Sequence, residues 1–102
     1  MESARTLRPG DGHYPDALAR AASRPAELRL RGSLGEARRV AVVGSRATDE
    51  YGIDLARELS GGLARAGISV VSGGALGIDG AAHEAALAAG GHTVAVLGTG
   101  VD

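Results

Sequence analysis

Cysteine, lysine, phenylalanine and tryptophan are all absent from this 102-residue chain. Without cysteine, disulfides and thiolate metal sites are excluded, which accords with a reducing compartment. Tyr14 and Tyr51 are the only aromatics besides histidine, so a broad platform for stacking bases is unavailable. The core has to be built from Val, Leu, Ile and Ala, which packs thinly. No apolar run approaches the roughly 18 residues needed to span a bilayer. The opening Met1-Glu2-Ser3-Ala4-Arg5-Thr6 carries no hydrophobic signal core. The expectation is therefore a cytoplasmic protein with no membrane partner.

With lysine missing, every positive side chain is arginine, whose planar fork suits phosphate; a GC-rich coding sequence produces the same bias. The net charge of −1 excludes a uniformly basic nucleic-acid binder. Its distribution is uneven. Residues 1–39 hold eight arginines against five acids, residues 40–65 three against four, and residues 66–102 three acids and no arginine. Attraction for a polyanion has to come from the first two thirds of the chain.

What is abundant is glycine, 17 in all, placed where apolar runs stop. Val40-Ala41-Val42-Val43 runs into Gly44-Ser45-Arg46, and Ile68-Ser69-Val70-Val71 runs into Ser72-Gly73-Gly74. In both places a helical pattern follows. A strand that ends in small residues just before a helix exposes backbone N–H groups, and the helix dipole favours an anion there.

The pattern predicts the following elements. Residues 1–14 read as a loop, Pro15 to Ala22 as a short helix with Pro15 at its first position, and Glu27 to Arg31 as a half-exposed edge strand. Val40–Val43 reads as a strand covered on both faces. A helix capped by Thr48 or Asp49 follows, with Tyr51, Leu55, Leu59 and Leu63 as its apolar stripe, and Gly67 ends it. Ile68–Val71 is a second strand, Ile78–Ala89 a second helix stopped by Gly90-Gly91, and Thr93–Leu97 a third strand. Strand, helix, strand, helix, strand with short connections implies an α/β fold. Its sheet is parallel, with right-handed crossovers and helices covering it, and its strand ends gather Gly44, Gly73 and Gly98 at one edge. Residues 1–38 form an N-terminal extension and 39–102 the core.

Gly44, Ser45 and Arg46 form the first candidate phosphate site: a tight turn, a hydroxyl donor and a guanidinium fork. Ser72, Gly73 and Gly74 form the second, with glycines that let a phosphate approach the backbone. Neither matches a dinucleotide fingerprint or a lysine-bearing phosphate loop. Asp79 and His83 lie four apart on one helix face. They read as groups that organise the loop at the helix start, since two ligands without a third make no metal site. No catalytic residue, metal or cofactor is expected.

These residues together resemble a known family. Val42-Val43-Gly44-Ser45-Arg46, Tyr51-Gly52, Ser72-Gly73-Gly74-Ala75, Gly77-Ile78-Asp79, Ala82-His83 and Gly91 to Leu97 look like the DNA-processing DprA or Smf family. Tyr14-Pro15, Leu18, Pro25, Leu28 and Arg31-Gly32 are similar to the segment that precedes the family's core. The resemblance implies a Rossmann-like three-layer core and a non-enzymatic role in DNA uptake and natural transformation. Its implied partners are single-stranded DNA, which it protects, the recombinase RecA, which it helps load, and a second copy of the chain. By position, Arg46 and the Gly73-Gly74 turn match residues that the family uses on phosphates. Leu76 stands where the family often has a basic residue. The resemblance also implies a chain that stops about halfway through the family core. Two alternatives remain: a nucleotide-binding hydrolase or sensor of related fold, although the Pro-Gly-Gly-x-Gly-Thr segment of such hydrolases is missing, and a remnant without binding of its own.

Overall fold

The computed structural model describes residues 4–44, 48–75 and 77–98. They fall into two compact units, residues 4–33 and residues 34–98.

In the first unit, β1 (Arg5–Leu7) pairs antiparallel with β2 (Leu28–Leu30), with Arg5 opposite Leu30 and Leu7 opposite Leu28. β1 lies in the stretch expected to be a loop. Three residues, Arg-Thr-Leu, carry too little alternation to stand out from the turn residues after them. Between the strands, α1 spans only Asp16–Ala19. Pro15 sits before the helix with extended backbone, at the N-cap rather than at the first helical position expected. Leu7 and Tyr14 are buried, and the Tyr14 hydroxyl donates to the Pro25 carbonyl at 2.9 Å. A buried phenol needs such a partner.

The second unit is the expected parallel α/β arrangement. β3 (Arg39–Ala41), β4 (Ser69–Ser72) and β5 (Thr93–Ala95) form a three-stranded sheet in the order β3-β4-β5. Val40 lies beside Val70, and Val71 beside Val94. α2 (Glu50–Arg65) and α3 (Ile78–Ala88) make the crossovers. Both crossovers step in the same direction across the sheet. Right-handed connections then place both helices on one face, where they pack on each other and on β4.

Burial in the sheet departs from expectation. β3 is an edge strand and is exposed throughout, with Val40 at 38%, and Val43 beyond its end is at 72%. Its apolar run suggested a strand covered on both faces, but the strand order leaves one side of it open. The buried strand is β4, whose Val70 is fully enclosed by Ala64, Ala82 and Ala86.

The helix faces depart in the same manner. The stripe expected to be buried on α2 is exposed at Tyr51, Leu55 and Leu59. The face turned inward is one residue on: Ala56, Ser60 and Ala64, with Gly61 beside them. α3 offers Ala81, Ala82 and Ala86 in return. Two faces of small side chains let the helices approach closely, and bulky leucines would hold them apart.

The helix ends follow the sequence. The Asp49 carboxylate caps α2 by accepting from the Gly52 N–H at 2.9 Å. Both helices stop in the same way. Gly67 N–H donates to Ala64 O and Ile68 N–H to Leu63 O; Gly90 N–H donates to Leu87 O and Gly91 N–H to Ala86 O. These are paired 5→2 and 6→1 closures. They need a left-handed residue just past the helix, and Gly67 and Gly90 supply it at φ of 81° and 76°.

Candidate functional site

Because β3, β4 and β5 are parallel, their carboxyl ends share one edge of the sheet. Open α/β sheets take their ligands there. The glycines at these ends are held in close approaches. A Cβ on Gly44 would meet Ile78 Cγ1 at 2.6 Å, so the end of β3 abuts the first residue of α3. A Cβ on Gly74 would meet Leu97 Cδ2 at 2.6 Å, which brings the segment after β5 against the same turn.

The two peptides of this turn are held separately, the one carrying Gly73 N–H by the bond from Val96 N–H to Ser72 O at 2.8 Å. The β3–β4 ladder runs up to the bond from Val42 N–H to Val71 O at 2.9 Å. Gly73 N–H would be the next donor, aimed at Val42 O. The Ser72 hydroxyl donates to that oxygen instead. No acceptor among the described residues takes the N–H of Gly73 or Gly74. In the next peptide, Gly73 O lies 2.8 Å from His83 Nε2. A carbonyl oxygen only accepts, so Nε2 carries the proton. His83 Nδ1 lies 2.7 Å from Thr93 Oγ1, and the Thr93 hydroxyl lies 2.9 Å from Val70 O. The net effect is a turn whose Gly73 carbonyl is tied to the fold and whose N–H groups have no acceptor among the described residues.

Asp79 stands behind this turn. It is buried in the first turn of α3, where a carboxylate is favoured by the helix dipole. A Cβ on Gly73 would come within 2.7 Å of Asp79 Oδ2, so a side chain at residue 73 would push the carboxylate aside. Asp79 Oδ1 has no hydrogen-bond partner among the described residues.

The site residues expected from the sequence therefore divide. Gly44, Gly73, Gly74, Asp79 and His83 gather at one edge. Ser72 is buried, with its hydroxyl turned into the sheet. Ser45 and Arg46 lie outside the described residues. Both ring nitrogens of His83 are engaged with Gly73 and Thr93, and no group of three metal-ligating side chains occurs among the described residues. Thr93 was not singled out from sequence. A threonine opening a strand looks like ordinary β-propensity, and nothing local shows that its hydroxyl meets a histidine ten residues upstream.

Surface grooves among the described residues lie elsewhere. One of about 450 Å³ runs between the helices, past Arg57, Arg65 and Glu84. Another, of about 830 Å³, lies between β3 and α2, past Val40, Leu59 and Leu63. Neither includes the glycine turns. No described helix is long and apolar enough to cross a membrane.

Known proteins share this arrangement. The family model for DNA recombination-mediator protein A matches residues 5–102. A relative from Mycobacterium tuberculosis that carries the DprA name is 46% identical over 96% of this chain, which covers 29% of that protein. The DNA processing protein DprA of Streptococcus pneumoniae is 44% identical over 90% of this chain, covering 33% of that protein. The protein Smf of Synechocystis is 39% identical over 94%, covering 26%. The X-ray structure of DNA processing protein A from Streptococcus pneumoniae superposes with a TM-score of 0.85 at 39% identity, covering 93% of this chain and 34% of that one. The chain thus spans about a third or less of the length of the proteins it matches. A family match along nearly the whole chain, relatives of this identity and a shared fold lead to one conclusion: the chain belongs to the DNA recombination-mediator protein A family, known as DprA or Smf.

Proposed function

We propose that this chain binds single-stranded DNA through its phosphates at the carboxyl edge of the sheet, and that it serves DNA uptake by sheltering the strand and helping to load RecA. The observation that carries the reading is the Gly73-Gly74 turn, whose N–H groups have no acceptor among the described residues and whose carbonyl is tied back by His83. Donors fixed in this way, beside the start of α3, suit an anionic oxygen. Gly44 lines the same edge. Ser45 and Arg46 follow it in sequence and would add a hydroxyl and a guanidinium fork to the phosphate. Ser72 acts indirectly, by taking Val42 O and releasing Gly73 N–H. Asp79 and His83 organise the turn.

Charge limits how such a site can work. Residues 66–102 carry three acids and no arginine, so the turn's neutral N–H groups do not attract a polyanion from a distance. Long-range attraction falls to the arginines of residues 1–65. Residues 39–102 on this account are the first part of the family core, and residues 1–38 an extension that adds positive charge. The role is one of binding in the cytoplasm, with no bond made or broken, and a second copy of the chain is a fitting partner.

Anisotropy of a labelled thymidine oligonucleotide tests this. Counterion release makes phosphate binding fall steeply with salt, so affinity should drop sharply between about 50 mM and about 200 mM. Adenosine monophosphate should not compete. Saturable binding of the mononucleotide without binding of the oligonucleotide would replace this function with that of a nucleotide-binding protein.

A further inference from the structure

We infer that His83 is the positioning residue of the phosphate turn, setting the direction of the Gly74 N–H, which shares a peptide with Gly73 O, without touching DNA itself. The inference rests on the single-stranded-DNA reading and names the residue on which its geometry depends.

The peptide carrying Gly73 N–H is held by strand pairing on the β5 side, where Val96 N–H donates to Ser72 O at 2.8 Å. The next peptide, which carries Gly73 O and Gly74 N–H, has no strand partner, and on the β3 side the Ser72 hydroxyl has taken Val42 O. Two consecutive glycines bring the least backbone stiffness of any pair. Left alone, such a peptide could rotate and turn its carbonyl oxygen toward the site, where it would repel a phosphate. The bond from His83 Nε2–H to Gly73 O at 2.8 Å prevents that rotation. The histidine is in turn fixed from behind. Nδ1 meets Thr93 Oγ1 at 2.7 Å, and that hydroxyl is anchored on Val70 O at 2.9 Å. Val70 is fully buried in the central strand, so the relay ends on the most rigid part of the unit. It runs from the core through β5 and α3 to the turn. Thr93 and His83 thus have a task that core packing alone does not require of them.

The two ring nitrogens can be separated by substitution. Glutamine places an amide nitrogen near the Nε2 position and can keep the bond to Gly73 O. Asparagine reaches only the Nδ1 position and keeps Thr93 at most. His83→Gln should therefore retain the wild-type amide positions of Gly73 and Gly74 in a ¹H–¹⁵N spectrum, together with affinity for the thymidine oligonucleotide. His83→Asn should shift the Gly74 amide most and weaken binding about five- to tenfold, the worth of one neutral hydrogen bond. Thermal melts of each variant keep binding measurements within the folded range. If His83→Asn does not fold, Thr93→Val takes its place: it removes the support behind Nδ1 and should shift the same Gly74 amide. Equal behaviour of the glutamine and asparagine variants, or wild-type amides and affinity in both, would overturn the inference. If the wild-type chain itself fails to bind the oligonucleotide, the function above fails, and the amide comparison alone decides whether His83 holds the turn.

Discussion

Gly91 and Gly62 show how differently two glycines are used in one small unit. A Cβ on Gly91 would lie 2.5 Å from Ala64 Cβ, 3.1 Å from Ala64 Cα and 3.3 Å from Ala86 O. Two of those neighbours are backbone atoms that cannot swing aside. Gly91→Ala should therefore destabilise the chain by about 1–3 kcal/mol, the usual cost of overpacking. Gly62, inside α2, has nothing within 4 Å of its would-be Cβ. Gly62→Ala removes backbone freedom from the unfolded chain and should stabilise by up to about 1 kcal/mol. Urea melts of the two variants should move in opposite directions. At this scale the sequence exposes much of the site. Small residues at a strand end before a helix point to the Gly73-Gly74 turn, and Asp79 and His83 stand out by spacing. What it hides is the identity of distant partners. Ser72 bonds to Val42 O thirty residues away, and His83 reaches Thr93 from a different element. No local pattern encodes such pairs.

The elements were more legible by type than by environment. Strand, helix, strand, helix, strand is plain from hydrophobic period and glycine stops, and Gly67 and Gly90 end their helices as expected. Which face of α2 is buried could not be read from α2 alone. Its leucine stripe and its alanine stripe are adjacent, and the choice is made by the partner helix. α3 turns Ala81, Ala82 and Ala86 inward, so close approach of small faces excludes the leucines. A similar dependence misled the reading of β3, whose run of valines is an edge strand because β4 and β5 lie on the same side of it. The exposed leucines have a testable consequence. Leu55 and Leu59 are 42% and 54% exposed, so changing both to glutamine should alter stability by no more than about 0.5 kcal/mol per site. The same change should reduce association between copies. Sedimentation and melting over a range of concentrations would check this. A loss of several kcal/mol would mean that the leucines are packed in the folded chain.

At the scale of the molecule, the residues proposed to attract DNA and those proposed to orient it belong to different parts of the chain. The turn after β4 offers fixed neutral donors beside a buried acid, within a stretch whose charge is negative. The arginines lie upstream. Arg46, two residues past Gly44 in sequence, is the one proposed to join the two. Arg57 is the natural control, because it sits on α2 between Asp54 and Glu84, each 3.9 Å away, and its charge is locally balanced. A charge-assisted hydrogen bond to phosphate contributes roughly 1.5–3 kcal/mol, or about ten- to a hundredfold in affinity. The decisive measurement compares the affinity of Arg46→Ala and Arg57→Ala for the same thymidine oligonucleotide. Arg46→Ala should lose at least about tenfold and show a flatter salt dependence, while Arg57→Ala stays close to wild type. Equal losses in the two variants would mean that attraction is spread over the surface, and would contradict a phosphate site at this edge of the sheet.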